Sequence, residues 1–222
     1  AVGHRAVGGG RVRGVVTALG RCSLWAALPV QAQRADSIIE RSSAAYRQLR
    51  SLTAEFDQVI SNEMIGTYKS RGALAQAGAA RLSMRFTEPA GEAIVIDGTS
   101  IWVYTPTTAP GQVLRAPIAR AAGYGANLLA WLLDKPAERY KVTLLRVDSV
   151  AGTPVDVLRL MPAVEGLPFT SATLWLARSD GLPRRLEVTE PSGNRRTLTL
   201  SKLQTNVALP PGTFTFTPPK GV

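Results

Sequence analysis

Residues 71–106 read RGALAQAGAARLSMRFTEPAGEAIVIDGTSIWVYTP. Leu82, Met84 and Phe86 alternate with Arg81, Ser83 and Arg85. Pro89-Ala90-Gly91 marks a turn, Ala93–Ile96 is an apolar run, Asp97-Gly98 marks a second turn, and Ile101–Tyr104 follows. Period-2 alternation broken by Pro, Gly and Asp-Gly is the pattern of antiparallel strands joined by hairpins. Carrying the even-numbered positions through both turns predicts one apolar face made of Leu82, Met84, Phe86, Ile94, Ile96, Trp102 and Tyr104. So broad an apolar, partly aromatic sheet face needs a cover.

Outward from this stretch the pattern repeats. Leu52–Ile60 alternates and reads as a half-buried strand, Ser61–Ile65 as a turn, and Gly66–Ala77 as a second strand. A Pro/Thr/Gly loop follows Thr105-Pro106, and Gln112–Arg115 forms a short strand. Lys141–Val147, Val155–Met161, Ala172–Ala177, Arg184–Glu190 and Arg195–Leu203 are further strands, separated by Gly-, Pro- and Asn-containing turns, as in an antiparallel meander. Phe214 and Phe216 share a face of a last strand, which Pro218-Pro219 stops from pairing further.

Two segments carry helical signals. Residues 36–50 place Ile38, Ile39, Ala45, Tyr46 and Leu49 on one stripe, with Ser37 and Glu40 spaced as a capping box. Asn127–Leu133 (NLLAWLL) is apolar nearly all round, and Pro136 terminates it. A short helix with no polar face must lie across an apolar surface, and the sheet face above is the surface available. Leu128, Leu129, Trp131 and Leu132 are therefore read as its cover.

The 222 residues suit one domain, and 45% hydrophobic content provides for a substantial core. The N-terminal 32 residues are Gly-, Val- and Ala-rich, contain Arg5, Arg11, Arg13 and Arg21, and lack Asp and Glu. Val30-Gln31-Ala32 offers small residues at the two positions a signal peptidase reads, so residues 1–32 are expected to be an export signal. Removing its four arginines lowers the net charge of +10 to +6. The single Cys22 and single His4 also lie there, so a mature chain would have no thiol or imidazole for nucleophilic catalysis or metal ligation. No catalytic, cofactor-binding or metal-binding residue is assigned, and the chain is read as a non-enzyme. Asp97-Gly98 is a hairpin turn. Asp148, Asp156, Glu187 and Glu190 fall on polar strand positions or turns, where solvated faces are expected instead of a hydrolytic pair. Arg184-Arg185 and Arg195-Arg196 could form a basic patch, but no aromatic residues interleave for base stacking, and nucleic acid is not expected.

The residues also resemble a known family. Phe56-Asp57-Gln58 after the first helix, Ile94-Val95-Ile96-Asp97-Gly98 followed by Ile101-Trp102-Val103-Tyr104-Thr105-Pro106, and the terminal Phe214-Thr215-Phe216-Thr217-Pro218-Pro219-Lys220-Gly221-Val222 are similar in order and spacing to the periplasmic outer-membrane lipoprotein carrier (LolA-like) family. The resemblance spans residues 36–222. It implies an α+β fold, an unclosed, curved antiparallel β-barrel whose hydrophobic concave face is covered by lid helices. It implies a periplasmic, monomeric carrier that binds acyl chains and no cofactor. Its partners would be acylated lipoproteins, an inner-membrane lipoprotein-releasing transporter and an outer-membrane acceptor lipoprotein. A periplasmic lipid-binding or lipoprotein-sensing module of the same fold is the alternative. One departure bears on the lid: family members commonly carry an Arg-Pro pair whose Arg bonds to the lid, and Gly78-Ala79 stands there, leaving Arg81 or Arg71 as candidate replacements.

Such a composition suits the task. Each acyl CH₂ withdrawn from water gains roughly 0.8 kcal/mol, about a dozen for a 16-carbon chain. A pliable Leu- and Met-rich lining, refilled by lid leucines when cargo departs, would reconcile tight shielding with release.

Overall fold

The computed structural model describes residues 30–64, 66–118 and 127–222. The expected export signal, with Cys22 and His4, lies almost wholly outside them. Helix α1 spans Val30–Arg47. It thus begins ahead of the start expected at residue 36 and leaves the Ser37–Glu40 capping box in mid-helix, where those backbone donors already have helical partners.

Eleven strands among the described residues build one antiparallel sheet. They are β1 (Leu52–Asn62), β2 (Gly66–Ala77), β3 (Arg81–Glu88), β4 (Ala93–Asp97), β5 (Ser100–Tyr104), β6 (Leu114–Pro117), β7 (Tyr140–Val150), β8 (Thr153–Pro162), β9 (Ser171–Ala177), β10 (Pro183–Thr189) and β11 (Arg195–Thr205). Their order is β6-β5-β4-β3-β2-β1-β11-β10-β9-β8-β7. Two hairpin meanders, β1–β6 and β7–β11, are fused through the β1–β11 pairing. β6 and β7 are opposite edges that do not meet, so the sheet is an open, curved half-barrel. Helices α2 (Leu128–Leu133) and α3 (Pro136–Arg139) occupy the connection between the meanders.

The core lies between the concave face and these helices. Ala35, Ile38, Ile39 and Tyr46 of α1 join Phe56, Leu74, Leu82, Met84, Phe86, Ile96, Leu158, Leu174, Leu186, Leu198 and Leu200 of the sheet, together with Leu128, Leu129, Leu132 and Leu133 of α2, in one buried cluster. α1 packs chiefly over β7, with further contacts to α3, α2 and β8. Its N-terminal half is also tied down by Asp156, buried on β8, which accepts two hydrogen bonds from Arg178 (3.0 and 2.6 Å) and lies 3.9 Å from Arg34.

Strand register corrects part of the expected apolar face. Across β3–β4, Leu82 faces Ile96 and Met84 faces Ile94, so even positions stay on one side. Across β4–β5, Ile96 faces Ile101, Ile94 faces Val103 and Val95 faces Trp102. The Asp97–Ser100 connection therefore exchanges even for odd positions. Ile101 and Val103 continue the concave face, whereas Trp102 and Tyr104 point to the outer one. The side chain of Asp97 fixes this turn by accepting from Thr99 N, Ser100 N and the Thr99 hydroxyl, each at 2.8 Å.

The C-terminal segment corrects a second expectation. Residues 207–222 form no strand. Pro210, Pro211, Pro218 and Pro219 have no N–H to give a ladder. The segment instead straps the outer face, where Phe216 packs against Trp102 and Tyr104 at ring-centroid distances of 5.9 and 5.8 Å. Arg85 donates to the Thr215 carbonyl at 2.8 Å, and Arg81 lies over the Phe214 ring at 5.3 Å.

Candidate functional site

The floor of the candidate site is the concave face of β1–β5. Leu82, Met84, Phe86 and Ile96 are buried in it and Ile94 packs at its margin. Gly72 shapes its middle. It lies opposite both Phe56 of β1 and Phe86 of β3, and its missing side chain lets those rings meet edge-to-face at 5.2 Å.

The roof is α2. Leu128, Leu129, Leu132 and Leu133 are buried against the floor. Trp131, expected among the covering residues, is instead half-buried and turned toward α3, with the Arg139 guanidinium 5.7 Å from its ring. Leu133, fully buried, takes the place that an all-round apolar helix could not assign from sequence. Floor and roof leave a void of about 20 Å³ lined by Gln58, Leu74, Leu82, Met84, Asn127, Leu128, Leu129 and Leu198, room for about one water molecule.

Hydrogen bonds to backbone carbonyls hold the roof. The Ser43 hydroxyl of α1 donates to Leu133 O at 2.7 Å, and the Tyr140 hydroxyl donates to Trp131 O at 2.7 Å. The third comes from Asn127, which has the left-handed backbone conformation (φ 56, ψ 46) and caps α2 by accepting from Ala130 N. Its side-chain N–H donates to the Ala79 carbonyl in the β2–β3 turn. The Gly78-Ala79 turn, which stands where the resemblance implied an Arg-Pro pair, thus still bonds to the roof helix, through the Ala79 main chain and the Asn that caps that helix. Neither proposed replacement reaches there. Arg81 is on the outer face, and Arg71 pairs with Glu88 at 3.2 Å. An Asn immediately before an apolar helix is a capping signal, but its second bond depends on the spatial approach of residue 79.

Beside this latch, a cavity of about 150 Å³ is lined by Tyr46, Leu49, Leu52, Gln76, Gly78, Ala79 and Asp134 among others. Gln76 bridges it by donating to the Tyr46 hydroxyl and, at 2.9 Å, to Gly78 O. Burial pushes the Tyr46 phenol up to about 12. It is neutral at physiological pH and serves here as a hydrogen-bonding group.

The residues weighed for other chemistry have ordinary partners. Asp148 pairs with Arg146, Asp156 with Arg178, Glu187 with Arg195 at 3.9 Å and Glu190 with Arg196 at 3.4 Å. Arg184 pairs with Asp180, and Arg185 lies over Trp175, so the four arginines do not form one unpaired basic patch.

An open half-barrel with an apolar concave face plugged by a leucine-rich helix defines a class of proteins built around a coverable hydrophobic cleft. Within that class, the chain belongs to the family of the outer membrane lipoprotein carrier protein LolA, whose profile matches residues 47–217. That is a binding and transport family. The outer-membrane lipoprotein carrier protein of Chromobacterium violaceum is 28% identical over 198 residues, covering 88% of this chain and 89% of that one. The protein of the same description from Alkalilimnicola ehrlichii is 29% identical over 205 residues, covering 91% and 90%. An uncharacterized conserved protein from Thermus thermophilus shares the fold with a TM-score of 0.54 at 14% identity, covering 85% of this chain and 97% of that one. Among the described residues, no helix is long and apolar enough to cross a membrane.

Proposed function

We propose that this protein carries lipoproteins across the periplasm, from an inner-membrane releasing transporter to an outer-membrane acceptor, with their acyl chains between the concave sheet face and α2. The observation that carries the reading is the occupancy of the cleft by α2 itself. Leu128, Leu129, Leu132 and Leu133 fill the space that the apolar floor would offer a lipid. The remaining void of about 20 Å³ cannot take an acyl chain. Loading therefore requires α2 to move away, and unloading lets it return.

This exchange sets the affinity. Acyl burial gains roughly 0.8 kcal/mol per CH₂, while the closed helix withdraws its own leucines from water. The ligand experiences only the difference, and its apparent affinity falls with the fraction of open protein. Leu82, Met84, Phe86, Ile94 and Ile96 line the proposed acyl site with Ile101 and Val103. Trp102 and Tyr104, on the outer face, do not. Leu128, Leu129, Leu132 and Leu133 are the mobile lining.

Native mass spectrometry of the protein released from periplasm tests this reading. Co-purifying acylated protein is the expected result. Free phospholipid or fatty acid as the sole bound species would replace the carrier assignment with a lipid-binding one.

A further inference from the structure

At the end of the concave face nearest the β1–β2 hairpin the lining turns polar. Gln58 lies opposite Ser70 and Leu198, and Ile60 opposite Tyr68 and Arg196. Arg196 is thus two residues beyond Leu198 on the same face of β11, next to the apolar floor. Its side chain is only 16% exposed, yet its hydrogen bonds are long: Nη1 to Gln58 Oε1 and Nη2 to Glu190 Oε1, both at 3.4 Å. Its buried Nε–H has no partner. Gln58 donates to Ser70 Oγ at 3.0 Å, which leaves the Ser70 hydroxyl hydrogen for another acceptor. Gln58 also lines the small void under Leu128 and Leu129.

A buried donor without an acceptor is costly, and such groups in folded proteins ordinarily find a partner. This border offers donors, while the Gln58 carbonyl oxygen is already engaged by Arg196. The group that fits is an acceptor without a proton of its own. Glu190 offsets the charge of Arg196, which favours a neutral acceptor over a carboxylate. An acyl chain lying on the apolar floor ends in such a group, the carbonyl oxygen of the ester or amide that joins it to its carrier molecule.

We infer that Arg196, with Ser70 and Gln58, forms a carbonyl-recognition border that binds the ester or amide oxygen at the root of a bound acyl chain and sets how deeply the chain enters. The inference rests on the carrier reading above, and its test separates the two. The probes are a diacylglyceryl-cysteine lipopeptide with ester-linked palmitoyl chains, its dihexadecyl ether analogue, dipalmitoyl phosphatidylglycerol and free palmitate. Each competes with a fluorescent acyl probe on wild type, Arg196→Leu and Arg196→Lys. Wild type should prefer the ester lipopeptide to the ether by about tenfold, the effect of one added hydrogen bond to a charged donor. Both variants should bring that ratio close to one and leave ether affinity unchanged. Lysine keeps the charge beside Glu190 but lacks the planar Nε–H. An ester preference supports the border with either lipopeptide or phosphatidylglycerol, and the tighter of the two identifies the source of the carbonyl. Equal binding of ester and ether by wild type overturns the border and leaves the carrier reading standing. A parallel loss of both ligands in the variants, or tighter binding of palmitate than of either ester, also overturns it. If wild type binds none of the probes, the carrier reading itself fails.

Discussion

The side chain of Asn127 donates to the carbonyl of Ala79, joining the first residue ahead of the covering helix to the turn between two floor strands. The same side chain caps that helix. Asn127→Gly keeps the left-handed backbone available and removes both side-chain bonds. It should cost about 1 kcal/mol in urea unfolding, mostly the net worth of the lost hydrogen bond to Ala79, because glycine is itself a tolerated helix cap. It should also strengthen binding of a fluorescent acyl probe, because a loosened helix raises the open fraction. Weaker acyl binding at preserved stability would show that Asn127 is not a latch.

Gly72 is needed for a packing reason. A Cβ there would lie 2.0 Å from the Arg85 carbonyl oxygen and 2.8 Å from the Phe86 Cα, both backbone atoms that cannot turn aside. Gly72→Ala should therefore destabilise by about 3 kcal/mol, the upper end of overpacking costs, and should disturb the Phe56–Phe86 contact. Chemical denaturation measures the first effect, and near-ultraviolet circular dichroism the second.

The outer-face strap makes a separable prediction. Phe216 covers both Trp102 and Tyr104. Phe216→Ala should shift tryptophan emission to the red and lower stability by about 1 kcal/mol, in line with aromatic-pair energies. Acyl-probe affinity should be unchanged, because the strap lies on the face opposite the cleft.

Asp97 contributes to the acid side of stability. Partial burial alone would raise its carboxyl, but hydrogen bonds from the Trp102 indole, Ser100 N, Thr99 N and the Thr99 hydroxyl outweigh it and hold the group well below the usual carboxylate range. The unfolded chain then binds this proton more readily than the folded one. The stabilisation is fully present above the unfolded value of about 3.9 and is lost as pH falls through the lower folded value. Asp97→Asn should flatten the fall in stability below about pH 4, as measured by urea midpoints across that range.

The strands of residues 71–106 were legible because their period of two survives in single residues such as Leu82, Met84 and Phe86. Which face Trp102 shares was not legible. It depends on whether the Asp97–Ser100 connection preserves or exchanges parity, and that is decided by where the Asp97 side chain finds its donors. Leu128–Leu133 could be recognised as a helix needing a surface, whereas Trp131 turns aside because of Arg139, eight residues later. Phe214 and Phe216 resembled a strand by alternation, yet the prolines around them leave too few donors for a ladder. The bond from Asn127 to Ala79 joins residues 48 apart and leaves no local trace in sequence. The register that brings Arg196 beside Gln58 is hidden for the same reason.

The proposed carriage depends on displacement of α2. A disulfide between Leu128→Cys or Leu129→Cys on α2 and a cysteine introduced on the facing part of β3 would hold the helix on the floor. With the fluorescent acyl probe, the oxidised protein should bind nothing, and a thiol reductant should restore wild-type affinity in the same sample. Undiminished binding by the fully oxidised protein would mean that acyl chains do not replace α2 on the concave face.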